Sequence, residues 1–426
     1  MEIESSLSKI FEDIDISWID NTKNIKNSLQ FQKIISIFPN LESIFQDGLH
    51  TNREEFHRTI KHIFRAFKIY FLLKEGNLIH KSLSLETINL ISKRLKDQDL
   101  KKSLHLILIL IYHDIGKFFD RKNHPHQSFL LILNNELLQP FRLLEEEELL
   151  ISKVIQYHLI FATIYTGEST FYGVYSLFND SMFVKLISNK ENIEKFLDLL
   201  EIFTIIDILG YPYTEIYDHY LKYYNEIRTK LRNILECWPD KEKALMEAKK
   251  YSIDWLEWRI AGALRIFQFV ETKPHLTKEF YFDKLKESVQ NYTNKVIGSM
   301  NWELIRDQYL INTYKIQMKY SLALLMILAF GSFQRMGLKI NAGISYKLIL
   351  FWTLLSREIK NRSKESEYSP WNVFLEGMPH WSKIDKEFIE RINDETIEKS
   401  IHNSKHEFNI DKKEFNLFLD FSKIMD

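Results

Sequence analysis

Apolar residues recur at three- and four-residue spacing along almost the whole of this 426-residue chain. That spacing places apolar side chains on one side of an α-helix. Glycine and proline, which often interrupt helices, number only 12 and 8. No stretch shows the apolar and polar alternation of a half-buried strand. The sequence therefore predicts an all-α fold built as a helical bundle.

Two stretches interrupt this pattern and suggest boundaries. The segment Cys237–Asp240 predicts the end of one long helix and the start of another, because proline fits a first helical turn and breaks an interior. The charged stretch REIKNRSKESEYSP, residues 357–370, predicts a solvated loop. Since domains usually contain about 100 to 200 residues, we divide the chain into a helical lead, a middle domain and a C-terminal helical region: 1–46, 47–237 and 238–426.

Charge and composition exclude several classes of protein. The 57 Lys and Arg residues nearly cancel the 58 Asp and Glu residues, so the basic surface of a duplex-binding protein is not expected. The single cysteine, Cys237, excludes an internal disulfide and a cysteine-based zinc site. The N-terminus lacks the basic and apolar segments of a signal peptide, and the longest apolar run, residues 321–333, is shorter than the ~18 to 20 residues that span a bilayer. We expect a cytoplasmic protein with no membrane partner.

Polar residues occur on apolar helix faces at four places in the middle domain. His57 lies three residues before one apolar neighbour and seven before another, which predicts an inward-facing side chain. His113 and His158 each follow apolar residues at three, four and seven positions. Asp207 lies within the apolar segment LLEIFTIIDIL, residues 199–209. Each of the four helices is thus predicted to turn one polar group toward the core.

A buried carboxylate needs compensation, because burying it alone costs several kcal/mol. No arginine or lysine lies in the apolar segment around Asp207, whereas three other helices offer imidazoles. A lone histidine on an apolar face is more often a core residue, and a lone aspartate is often a cap or part of a buried pair. Four such helices, together with the adjacent pair His113 and Asp114, favour a divalent-metal site instead.

The order of these residues resembles the H…HD…H…H…D pattern of the HD-domain superfamily of metal-dependent phosphohydrolases: His57, His113, Asp114, His124, His158 and Asp207. The segment HDIGK, residues 113–117, is a common form of the doublet, and His124 is followed four residues later by the small residue Ser128, as is usual in the family. The similarity covers about 47–228, under half of the chain, and looks closest to the HD region of the bacterial uridylyl-removing enzymes.

The resemblance implies a set of roles. His57, His113, Asp114 and Asp207 would hold one divalent ion, while His124 and His158 would share Asp114 with a second ion or bind phosphate. Asp114 and Lys117 would be catalytic, with Lys117 offering its charge to a phosphate oxygen; a solvated lysine is the alternative. The ions could be Mn, Fe, Co, Ni, Zn or Mg.

The first histidine of the pattern has three candidates in the sequence. The gap between His57 and His113 is long, with an added polar stretch at 74–102, so His50 or His62 could be the first ligand instead. We prefer His57 because it lies on the apolar stripe.

From this resemblance we expect a phosphohydrolase that cleaves a phosphomonoester or phosphodiester of a nucleotide by a metal-activated water. The alternative is a non-catalytic HD module that binds a nucleotide signal or a protein partner in a regulatory role. The C-terminal region could shape a substrate pocket, mediate dimerisation or bind a regulator. Its apolar stripes at 255–267 and 322–328 predict core packing, and Trp371 and Trp381 predict an aromatic-packed turn around 376–379.

Overall fold

The computed structural model describes most of the first 253 residues and parts of the remainder: 2–253 except 39, 82, 98–99, 213–215 and 217, then 315–319, 346–363, 369–378, 388 and 391–422. The chain divides into two compact units. The first contains Met1–Phe161 and Lys185–Arg228, and the second contains Ala162–Val184 and Thr229–Asp426.

The described part of the chain up to residue 253 contains only helices and the turns between them. In chain order these helices are α1 Glu2–Glu12, α2 Ile16–Asn21, α3 Leu29–Ile37, α4 Leu41–Thr51, α5 Arg53–Glu75, α6 Leu85–Lys96, α7 Leu100–Tyr112, α8 His124–Asn134, α9 Glu145–Gln156, α10 Ile160–Tyr165, α11 Tyr172–Tyr175, α12 Ser181–Ile187, α13 Lys190–Leu209, α14 Asp218–Leu235 and α15 Lys241–Ile253. No described helix is long and apolar enough to cross a membrane.

The long helix α5 has clear start and stop signals. The Asn52 side chain accepts a hydrogen bond from the Glu55 backbone N–H at 3.1 Å, and two glutamates occupy the first turn, where negative charge suits the helix dipole. The helix ends at Gly76, whose φ of 82° is the left-handed conformation that glycine adopts without strain. Between these ends α5 packs against α6, α7 and α13.

Helix α7 forms the centre of the first unit. Residues 106–112 are each at most 1% exposed, so this part of the helix is surrounded by protein on all sides. Its neighbours are α5, α9 and α13. The acidic run 145–148 forms the first turn of α9, where negative charge suits the helix dipole. A buried helix that ends at Tyr112 carries His113 and Asp114 into the interior.

The second unit contains a β-sheet, so the all-α prediction is wrong for this part of the chain. Its strands are β1 Ile316–Lys319, β2 Trp371–Glu376, β3 Lys405–Asn409 and β4 Glu414–Asp420, in the order β1-β2-β4-β3. The β1–β2 and β2–β4 pairs are parallel, and β3–β4 is antiparallel. The central strand β2 is buried on both faces, so its sequence is a short apolar run without alternation, which periodicity alone does not separate from a helix.

Other boundary predictions in this region have mixed outcomes. The break at Cys237–Asp240 is confirmed, because α14 ends before it and α15 begins after it. The loop prediction for 357–370 is wrong over its first six residues, since helix α16, Tyr346–Arg362, continues through them. Trp371 begins β2 and stacks on Phe415 with ring centroids 4.3 Å apart. The turn predicted at 376–379 is described only as far as residue 378, and Gly377 within it has a φ of 75°. A last helix, α17, covers Asp394–His402; the stripes predicted at 255–267 and 322–328, and Trp381, lie outside the described residues.

Candidate metal centre

Side chains from five segments of the first unit meet beside the end of α7. Three helices contribute from within, since α5 carries His62, α8 begins with His124 and α13 carries Asp207 near its C-terminal end. His113 and Asp114 directly follow α7, and His158 follows α9. All six residues are at most 8% exposed: His62, His113, Asp114, His124, His158 and Asp207.

One group of ligand atoms surrounds Oδ2 of Asp114. Nε2 of His113 lies 3.3 Å from this oxygen and 3.3 Å from Oδ1 of Asp207. Nε2 of His62 lies 2.7 Å from the same Asp207 oxygen and 3.4 Å from Nε2 of His113. Arg65 stabilises this arrangement, because its Nε donates to the carbonyl of Gly210 at 2.9 Å and so ties the end of α13 to α5.

A second group surrounds the other oxygen of the same carboxylate. Oδ1 of Asp114 lies 3.3 Å from Nε2 of His124 and 3.9 Å from Nε2 of His158. The ligand atoms of His62, His113 and Asp114 lie within 4.8 Å of one another, and so do those of Asp114, His124 and His158. Either set has a spacing that could hold a metal ion. Asp114 therefore directs one oxygen to each group and belongs to both.

Backbone hydrogen bonds orient three of the imidazoles. In each, Nδ1–H donates to the carbonyl three residues earlier, and Nε2 is left to face the cluster. The three bonds are His113 to Leu110 at 3.0 Å, His124 to Arg121 at 3.0 Å and His158 to Ile155 at 2.7 Å. Histidines that bind metals through one ring nitrogen usually donate the other N–H in this way, which fixes the tautomer and the ring plane.

The turn at Ile115–Phe118 holds α8 against the end of α7. The N–H of Gly116 donates to Oγ of Ser128 at 2.9 Å, and that hydroxyl donates to the carbonyl of His113 at 2.7 Å. A Cβ at Gly116 would lie 2.4 Å from the carbonyl oxygen of His124. Glycine and a small hydroxyl residue are therefore required here for the two backbones to approach each other.

The charges of the first group balance without any ion. Burial by itself lowers the pKa of His113, but the carboxylates of Asp114 and Asp207 outweigh it and raise the pKa to about 9. Burial acts to raise the pKa of Asp114, whereas the cations of His113 and Lys117 hold it well below its usual value. The pKa of Asp207 is also lowered against burial, by hydrogen bonds from His113 and His62. Two cations thus face two carboxylates.

The second group contains neutral imidazoles. Burial lowers the pKa of His158 to about 3, and repulsion from the protonated forms of His124 and His113 adds to this shift. Burial also lowers the pKa of His124, although Asp114 opposes this shift. Both rings are therefore uncharged near pH 7, which is the form that binds metals.

The contact between Asp114 and His124 is unsatisfied. Oδ1 of Asp114 and Nε2 of His124 are both buried, and neither forms a hydrogen bond with any described residue. Because Nδ1 of His124 carries the proton, its Nε2 presents a lone pair to a carboxylate oxygen at 3.3 Å. Two acceptors in this position require a cation or a proton between them. These residues therefore fit a divalent ion, whose usual ligands include imidazole nitrogen and carboxylate oxygen.

His57, the histidine preferred from the sequence, lies outside this cluster, and that preference is corrected to His62. His57 is half-buried and packs edge-on against Phe56 at 5.4 Å, and burial and the charge of Arg53 lower its pKa. Five residues along a helix correspond to a rotation of about 140°, so His57 and His62 face different directions. His50 is exposed.

The available signal for His62 was a second stripe on α5, which is buried along its length: Glu55, Thr59, His62, Ala66, Ile69 and Leu73.

Lys117 and Tyr211 complete the edge of the cluster. The Lys117 ammonium contacts Oδ2 of Asp114 and lies 2.9 Å from Oη of Tyr211, and its side chain is 14% exposed. The ring of Tyr211 stacks on His62 with centroids 4.0 Å apart. Lys117 is therefore directed inward and is not the solvated lysine of the alternative interpretation. Tyr211 was missed from the sequence, where a tyrosine after a helix carries no distinguishing signal.

Comparisons of this chain with protein-family models, curated proteins and solved structures found no match.

Proposed function

We propose that this protein is a metal-dependent phosphohydrolase that cleaves a phosphomonoester or phosphodiester of a nucleotide. The observation that carries the proposal is the unsatisfied contact between Oδ1 of Asp114 and Nε2 of His124. The charges of the first group balance internally, whereas this contact places two buried acceptors against each other and requires a cation or a proton between them. The similarity of the residue order to the HD pattern supports phosphoester hydrolysis as the reaction class.

The chain's own residues would prepare the site. Asp114 belongs to both groups of ligand atoms, so it would help to hold an ion in either group. His113 must lose a proton before it can ligate, so metal binding would release protons near pH 7. A divalent ion held here would lower the pKa of a bound water and polarise a phosphoryl oxygen.

Lys117 would bind the phosphate at the edge of the site. Its side chain is mostly buried yet retains some exposure, and its Nζ is held by both Asp114 and Tyr211. With Asp114 serving as a metal ligand, the Lys117 ammonium would contact a phosphate oxygen through a charge-assisted hydrogen bond. Tyr211 keeps Lys117 close to the cluster and covers one face of His62.

The proposal is tested by metal analysis and a hydrolysis panel on the full chain. The protein is loaded in turn with Mn, Fe, Co, Ni, Zn and Mg, the bound metal is measured by mass spectrometry, and p-nitrophenyl phosphate, bis(p-nitrophenyl) phosphate and nucleotides are offered as substrates. We expect one or two ions per chain and metal-dependent turnover. The matched variants are Asp114→Asn, which should lose both properties, and Asp47→Asn at an exposed position of α4, which should keep both.

Two results would contradict the proposal in different ways. Metal binding without turnover of any substrate would favour the regulatory HD module. A protein that binds none of the six ions would show that Lys117 and His113 balance the carboxylates permanently, and that the cluster is a charge network without a metal.

A further inference from the structure

A cavity lies in the first unit, between α6, α7, α9 and α13. Its volume is about 700 Å³, within the range of pockets that hold small organic ligands. None of its lining residues belongs to the histidine and aspartate cluster. The cavity is therefore a separate candidate binding site.

Each surrounding helix presents one stripe of side chains to the cavity. Helix α6 contributes Leu90, Lys93 and Arg94, and α13 contributes residues such as Lys195 and Leu199. These spacings of three and four residues are those of helix faces that normally pack together in a bundle. In this cavity the helix faces carry long charged side chains such as Lys93, Arg94 and Lys195, and they line the cavity rather than pack against each other.

Three acidic residues that line the cavity already accept hydrogen bonds from described residues: Glu146, Glu147 and Asp198. Glu147 accepts from the backbone N–H at the start of α9 at 3.0 Å and from Lys101 at 3.1 Å. Asp198 pairs with Arg228 at 2.5 Å and with Arg94 at 3.3 Å. Glu146 likewise accepts from the side-chain amide of Asn192.

Two lysines have no such strong partner among the described residues. Lys93 forms no ion pair with a described residue, and the carboxylate nearest to Lys195 is that of exposed Glu191 at 4.0 Å. Both lysines line the cavity, Lys93 from α6 and Lys195 from α13. Their charges are available to an anion.

Apolar surface lies beside these lysines. Leu90 and Leu144 line the cavity and are each 63% exposed, whereas Leu150 and Leu199, which also line it, are buried. An apolar ligand body could cover the two exposed leucines and remove them from water, which is favourable.

We propose that this cavity binds a small organic anion, a phosphate or carboxylate joined to an apolar body. The anionic group lies against Lys93 and Lys195, and the body lies against Leu90 and Leu144. This proposal does not depend on the phosphohydrolase activity.

The test uses two fluorescent probes that share an aromatic body. The probe 8-anilinonaphthalene-1-sulfonate carries an anionic group, and N-phenyl-1-naphthylamine carries none. Both are titrated into the full chain with a chelator present. We expect the double substitution Lys93→Glu and Lys195→Glu to weaken binding of the sulfonate probe by about tenfold or more, and binding of the neutral probe much less. The substitution Leu90→Ser should weaken both, and because Leu90 is largely exposed this variant should fold normally.

Two controls and a competition complete the design. Lys33→Glu, an exposed lysine on α3, should leave both affinities unchanged, and so should Asp114→Asn, because the metal cluster is separate. Displacement of the sulfonate probe by phenyl phosphate or by benzoate identifies the preferred anionic group. Equal affinities for the two probes, equal affinities in parent and double variant, displacement by neither competitor, or loss of binding in Asp114→Asn would each overturn the proposal.

Discussion

The two histidines on α5 provide a matched pair of substitutions, His62→Ala and His57→Ala. His62 lies 2.7 Å from Asp207 inside the cluster, whereas His57 packs against Phe56 outside it. If the cluster binds a metal, only the first substitution removes a ligand. We expect divalent metal to stabilise the parent and His57→Ala equally, and to stabilise His62→Ala much less.

The size of the effect follows from binding linkage. A metal that binds only the folded state adds about 2.7 kcal/mol to the free energy of unfolding at one hundred times Kd. If loss of His62 raises Kd about a hundredfold, the same metal concentration adds only about 0.4 kcal/mol. The first unit contains about 200 residues, for which 1 kcal/mol shifts Tm by about 2 to 4 °C. The metal-induced shift should fall from roughly 5 to 11 °C to about 1 to 2 °C.

The assay is thermal unfolding of each protein with chelator and with metal, followed by circular dichroism. His62→Ala should also be less stable than the parent in chelator, by about 1.5 to 3 kcal/mol, because Asp207 loses a charged hydrogen bond. The quantity compared is therefore the shift that metal induces in each protein, not the absolute Tm. Equal shifts in the two variants, or a loss confined to His57→Ala, would refute the assignment of His62 to the metal site.

Three further predictions concern neighbouring parts of the cluster. Asp114→Ala should abolish turnover in a phosphatase assay and raise the metal Kd far more than Lys117→Ala does, because Asp114 belongs to both groups of ligand atoms; similar residual activities would contradict this. Gly116→Val should lower Tm and metal affinity together, because a Cβ would lie 2.4 Å from the carbonyl of His124, and an unchanged melting curve would show that the turn adjusts. Without metal, stability should fall as pH drops below 6.5 toward about 3, by up to about 1.4 kcal/mol per pH unit, because the unfolded chain protonates His158 while the folded protein keeps it neutral. Urea denaturation between pH 4.5 and 7 should show that the free energy of unfolding depends less steeply on pH in His158→Gln than in the parent. An identical pH dependence in the two proteins would exclude His158 as the cause of the loss of stability.

Local sequence determined the helices up to residue 253, because their periodicity, caps and breaks act over only a few residues. Proline at the Cys237–Asp240 break and the acidic first turn of α9 are examples. Local sequence also indicated which segments carry polar groups into an apolar core. His113, Asp114, His124, His158 and Asp207 were selected on that basis or by resemblance, and the structure brings all five together.

Only the tertiary structure decided which face of α5 meets the cluster. That helix is buried on more than one side, so its strongest apolar stripe pointed to His57, while packing against α7 and α13 turns His62 toward Asp207. The sheet of the second unit depended on long-range pairing in the same way. Strand β2 pairs with β1 and β4, which lie more than 35 residues away on either side, and no pattern within six residues encodes such partners. The periodicity of side chains indicates that a residue is buried. Which neighbour buries it depends on contacts between segments that are distant in the chain.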